Sequence, residues 1–144
     1  MDQNNGLLGK WTYRSFKNDP SPVGDDGQKA LALFFAEGTI TIERVDHEVV
    51  KATLSWGGQV QMYLSGRLYA GQGLAPTTLV MTGIGIDNSP TQGWVYQYHG
   101  YVVPSWPGGV DQVPALVGSV TRTVRHGSGQ AGYVASFLMV KQPL

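Results

Sequence analysis

Three histidines, seven tyrosines and four tryptophans carry most of the chemistry that this 144-residue chain can offer. His47 sits between Asp46 and Glu48. A histidine beside carboxylates could act as a general base or metal ligand. With no second ligand at a metal-binding spacing, a solvated turn is the plainer reading, and no metal is expected. His99 follows Tyr98 and precedes Tyr101, and His126 closes the segment that holds Arg122. Imidazole titrates near neutral pH, so His99 and His126 would form an acid–base pair if the fold brought them together. Tyr98, His99, Arg122 and His126 are therefore the catalytic candidates. Trp94, Tyr96 and Tyr98 recur at every second position, which in a strand places all three on one face. They would serve either as ordinary core or as an aromatic wall for a flat ligand, with phenol groups to orient its polar atoms. Tyr13, Tyr63 and the loop residue Trp106 complete the ligand-binding candidates. Trp106 stands between Ser105 and Pro107, where a lid or an interface anchor would be placed.

The wider sequence narrows the chemistry by what it lacks. It contains no phosphate loop, dinucleotide fingerprint, His-Glu-x-x-His or Gly-x-Ser-x-Gly, so no cofactor is expected. The absence of cysteine removes disulfides and thiolate metal sites. Ten basic residues balance ten acidic ones. A nucleic-acid partner would call for a basic excess. Charged residues make up only 14% of the chain, against about 25% in ordinary globular proteins. Low charge density at zero net charge favours self-association, so a dimer or higher homo-oligomer is expected. The first residues lack the basic and apolar regions of a signal peptide, and no apolar run is long enough for a spanning helix. The expectation is a cytoplasmic protein with no membrane partner.

The elements that must position these groups are strands. Lys10–Lys17 alternates, with Trp11, Tyr13 and Ser15 on one face. A loop rich in proline, glycine and aspartate follows. Ala30–Ala36 is continuously apolar and fits either a buried strand or a short helical turn. Glu37-Gly38 reads as a tight turn before a strand from Thr39 to Val45. Val49–Trp56 groups Val50, Ala52, Leu54 and Trp56. Gly57-Gly58 then predicts a hairpin into Gln59–Tyr69, with Val60, Met62, Leu64 and Leu68 inward. Further strands are expected over Thr77–Ile86, Gly93–Val103, Leu116–Arg125 and Tyr133–Lys141. In Leu116–Arg125, Arg122 lies on the otherwise apolar face of Leu116, Val120 and Val124, where a charge needs a partner.

Eight or nine strands joined mostly by short turns describe one all-β domain over residues 1–144, with residues 1–6 as a flexible tail. Closure into an antiparallel up-and-down β-barrel of about eight strands would hide the sheet edges most completely, and a two-sheet sandwich is the alternative. The opening Leu7-Leu8-Gly9-Lys10-Trp11-Thr12-Tyr13 resembles the first strand of the calycin group, the lipocalins, fatty-acid-binding proteins and avidins, where Gly-x-Trp begins the barrel. The resemblance covers about a tenth of the chain. It implies that Trp11 closes one barrel end and that a late-strand arginine, Arg122 or else Arg125, packs over it. The avidin-type biotin contacts do not map onto this sequence.

The leading expectation is a barrel that holds a small, largely apolar or aromatic molecule. The alternative is a small barrel enzyme promoting cyclisation, isomerisation or elimination through shape and acid–base groups. An assembly module is the third reading.

Overall fold

The computed structural model describes residues 6–22, 24 and 26–143. Eight strands run in chain order: β1 (Gly9–Lys17), β2 (Phe34–Asp46), β3 (Val49–Trp56), β4 (Gln59–Tyr69), β5 (Thr78–Gly85), β6 (Val95–Val102), β7 (Ala115–Arg122) and β8 (Tyr133–Lys141). Each pairs antiparallel with the next, and β8 pairs with β1 to close an up-and-down barrel. This is the all-β barrel expected, and its architecture is consistent with a calycin-type fold.

Alternation turns one half of each strand inward. Trp11, Tyr13, Ile40, Met62, Leu64, Met81, Tyr98, Leu116, Phe137 and Met139 are buried in a single apolar cluster. Side chains thus fill the interior, as an eight-strand circumference allows. The aromatic members interlock at Tyr13, whose ring lies 6.1 Å from Tyr98 and 5.9 Å from Phe137.

The barrel has two distinct ends. At one, Trp11 is fully buried and its indole N–H donates to the Leu7 carbonyl at 2.9 Å. The turn at His47 and the connection between β6 and β7 lie at this end. The Gly57-Gly58 hairpin, with φ of 61° and 77°, lies at the other, as do the connections from β5 to β6 and from β7 to β8. Of the tail expected over residues 1–6, residues 1–5 lie outside the described ones. The Gly6 carbonyl accepts from Lys141 Nζ at 2.7 Å.

Several expectations are corrected. The apolar run from Ala30 divides between both alternatives. A short helix, α1 (Gly27–Leu31), is capped by the Asp26 carboxylate, which accepts from the amides of Gln28 and Lys29, and β2 begins at Phe34. Glu37-Gly38 is not a turn but part of β2, opposite Arg14 and Tyr13. Glycine suits that interior position because a Cβ would stand 2.6 Å from the Ser55 carbonyl oxygen. Val60 faces outward at 41% exposure. The register shifts after Leu54, so Leu54 pairs with Met62 but Ser55 with Val60, and the bulge reverses the alternation. Strand β7 ends at Arg122, which leaves Val124 and Arg125 exposed rather than continuing the inner face.

Truncation of Trp11 to alanine removes a fully buried indole and its hydrogen bond, and should cost about 3–5 kcal/mol. Tyr63→Ala, on the outer face at 58% exposure, should stay within about 0.5 kcal/mol. Urea unfolding of both variants checks this contrast.

Candidate functional site

At the barrel end opposite Trp11, a cleft of about 380 Å³ is lined by Phe35, Ala36, Glu37, Trp56, Trp94, Tyr96, Arg122 and His126. Four strands and two connections supply these residues. Phe35 enters through a bulge, because Ser15 pairs with Ala36 but Phe16 pairs with Phe34. The extra residue leaves the outward pair Phe16–Phe34 and packs its own ring against the core. Trp56 ends β3 immediately before the Gly-Gly turn. Trp94 precedes β6 and is held by Thr91, a buried residue of the β5–β6 connection. The Thr91 hydroxyl donates to the Gln61 carbonyl at 2.6 Å, and its own carbonyl accepts from the Trp94 amide at 3.0 Å. Arg122 ends β7 opposite both Tyr96 and Tyr133. His126 occupies the next turn, where its amide and carbonyl pair with those of Gly129. A Cβ on Gly129 would meet the Arg122 guanidinium carbon at 2.7 Å, so glycine keeps room for that side chain.

The polar centre of the cleft is a three-residue chain. Arg122 Nε donates to the Tyr96 hydroxyl at 3.1 Å, and that oxygen lies 2.7 Å from His126 Nε2. Tyr96 can accept from arginine and donate its own proton to histidine at the same time. That arrangement pairs with the neutral His126 tautomer that carries its proton on Nδ1. Burial, and secondarily the Arg122 charge, hold the His126 pKa below the ordinary histidine value, which favours that neutral ring.

Aromatic rings frame this chain. His126 stacks on Trp94 with centroids 4.1 Å apart and planes 14° apart. Trp94 in turn stacks with Trp56 at 6.3 Å. The Arg122 guanidinium lies over Phe35, Tyr96 and Tyr133, 5.4–5.8 Å from each ring centre. Cation–π attraction gives the partly buried charge its partners. Arg122 therefore does not cover Trp11. Trp11 pairs with Lys141 on β8, whereas Tyr133, eight residues earlier on the same strand, pairs with Arg122. That separation is on the order of 25 Å along the strand.

The remaining candidates are dispersed. Tyr98 and Tyr13 face the interior below the cleft. Burial is the main cause that raises both phenol pKa values, Tyr13 to about 12 and Tyr98 well above its usual value. Both stay protonated at neutral pH and pack as core. His99 is exposed on the outer face and cannot meet His126. Tyr63 also points outward. Trp106 is 76% exposed at the Trp11 end, where the Gln112 side-chain amide accepts from its N–H and donates to its carbonyl. It is therefore no lid for the cleft. His47 occupies the β2–β3 turn with φ of 55°. The sequence reading missed Phe35, Trp56 and Tyr133. Trp56 carried a usable signal, since in a meander the turns after β3, β5 and β7 share one end. The bulge that redirects Phe35 had none.

A larger groove of about 630 Å³ crosses the outside of β1–β3, but charged, hydroxyl and glycine residues dominate its lining. Comparison with models of known protein families, with curated proteins and with solved structures finds no match to this chain.

Two measurements check the polar chain. Nitrogen-detected NMR should show His126 as the Nδ1–H tautomer with a depressed pKa. Because the folded form binds the proton less readily than the unfolded chain, His126 favours folding above the ordinary histidine value. That contribution is lost as pH falls through the folded pKa. Chemical denaturation across this range should give a shallower pH dependence for His126→Gln than for the parent protein.

Proposed function

We propose that the cleft between Trp56, Trp94 and the Arg122–Tyr96–His126 chain binds a small, flat, largely apolar molecule with one polar or anionic group. The cleft itself carries this reading. Apolar rings wall it, its volume lies within the usual range for small-molecule sites, and its few polar groups converge. Because side chains occupy the barrel interior, the ligand would sit at the mouth and not along the barrel axis. Trp94 would contribute a ring face, and the guanidinium would attract the polar end. The calycin-like first strand and the closed barrel support the same reading.

A naphthalene sulfonate fluorescent probe has the required flat ring and anionic group. Titration should saturate at one site per chain. Trp94→Ala should weaken binding at least tenfold, equivalent to about 1.4 kcal/mol, while Tyr63→Ala leaves it unchanged. Equal affinity in the parent and Trp94→Ala proteins would place the probe elsewhere and overturn the proposal.

The short Tyr96–His126 contact favours one second reading, an enzyme working in the same cleft. A neutral imidazole beside a phenol and a fixed cation could move a proton on a bound substrate, and Arg122 could stabilise developing negative charge. Cyclisation, isomerisation or elimination of a hydrophobic substrate fits such groups. With an activated substrate analogue, Tyr96→Phe and His126→Gln should both lower turnover while probe binding is retained. Unchanged turnover in both variants would remove this reading.

A further inference from the structure

Charge is distributed very unevenly around the outside of the barrel. The outer positions of β1–β4 include Lys10, Arg14, Glu37, Glu43, Lys51 and Arg67. Across β5–β8 the four outward positions of each strand hold no Asp, Glu, Lys or Arg. They are valine, threonine, serine, isoleucine, leucine, alanine, glutamine, tyrosine and one histidine. The apolar members adjoin in register: Tyr101 pairs with Val117, and Val117 with Leu138. Ile84, Val134 and Leu138 are 53%, 43% and 41% exposed, respectively. Three of the polar side chains already have partners. Gln97 Nε2 donates to Thr82 Oγ1 at 2.8 Å, and Ser136 Oγ donates to Asn18 Oδ1 at 3.0 Å. Covering this surface would strand no ion, and these two pairs need no new partner.

We propose that the outer face of β5–β8 is the contact surface for a second copy of this chain, joined through a two-fold axis. Four adjacent strands of eight or nine residues, about 4.8 Å apart, cover roughly 500 Å² of the barrel wall measured along its curve. A contact centred on Tyr101, Val117 and Leu138 therefore falls below the ~800 Å² per partner of a standard interface and suits a concentration-dependent dimer. A two-fold contact sets the same face against itself. Its uncharged composition is self-matching, whereas a partner with an ordinary charged surface would have to lose the hydration of its ions here. The zero formal net charge of the chain removes long-range repulsion between copies. The charged half of the barrel remains in water.

Sedimentation velocity over a concentration series tests the assignment. The parent protein should reach twice the 15.5 kDa chain mass. Val117→Lys places two like charges in the interface and should return the protein to the monomer. Val49→Lys, on the outer face of β3, should remain dimeric. A second measurement guards against misfolding of the lysine variant. The chain has no cysteine, so Ser119→Cys introduces one thiol near the centre of the face, and Lys51→Cys one on the opposite side. A short bis-maleimide should cross-link the Ser119→Cys protein to a dimer and leave the Lys51→Cys protein largely monomeric. A parent protein that stays at 15.5 kDa throughout, a folded Val117→Lys variant that stays dimeric, or equal cross-linking at both sites would overturn the proposal.

Discussion

The pairing of β8 with β1 makes every other feature of this molecule possible. With both edge strands joined, alternate residues are committed either to a closed interior or to the outer surface. Trp11, Tyr13 and Ser15 are inward on β1 while Phe137 and Met139 are inward beside them. The register of this seam also fixes how far each residue lies along the barrel. It sends Trp11 to one end and Arg122 to the other, because their partners on β8 are eight residues apart. A charge placed inward by parity must find partners near its own end. Arg122 finds three aromatic rings and a phenol oxygen there.

The cleft exists because the barrel is packed unevenly along its length. At the Trp11 end, the indole and the preceding turn close the core. At the His126 end, bulky aromatic rings meet around a guanidinium and cannot collapse onto each other without displacing it. Flat rings held edge to face or offset leave space that flexible aliphatic side chains would fill. The β5–β6 connection, tied down through Thr91, and the glycine-rich β7–β8 turn set the width of this space. A preorganised polar chain within it would need little further ordering to hold the ligand proposed here. The same arrangement suits binding and proton transfer, since both need fixed donors beside an apolar wall.

Much of this organisation is legible in the residues. The β-branched and aromatic alternation, the Gly57-Gly58 turn and the spacing of the later strands lead to a meander of eight or nine strands without any comparison. Trp94, Tyr96 and Tyr98 do share one inward face, and Arg122 does lie on the inner face of its strand. The misreadings arise at bulges and at strand ends. Val60 and Phe35 each sit where a single inserted residue reverses the alternation, and such an insertion leaves no mark in the hydrophobic pattern. Glu37-Gly38 has the composition of a turn, but its glycine serves a close approach of neighbouring backbone within a strand.

The sequence by itself determined the class of fold, the inward or outward direction of most strand residues, and the low, balanced charge. These are local or summed properties, set by a period of two and by composition. Only the tertiary structure decided which inward residues meet. His99 and His126 are equally plausible partners along the chain, yet parity puts one outside the barrel and a turn puts the other at its mouth. Arg122 could have covered Trp11 until the strand register placed them at opposite ends. The segregation of charge to one half of the barrel surface was likewise invisible until closure set β5–β8 side by side. Each of these outcomes depends on pairing between distant strands, which fixes depth along the barrel and neighbourhood around it. Neither quantity is contained in the order of residues within one strand.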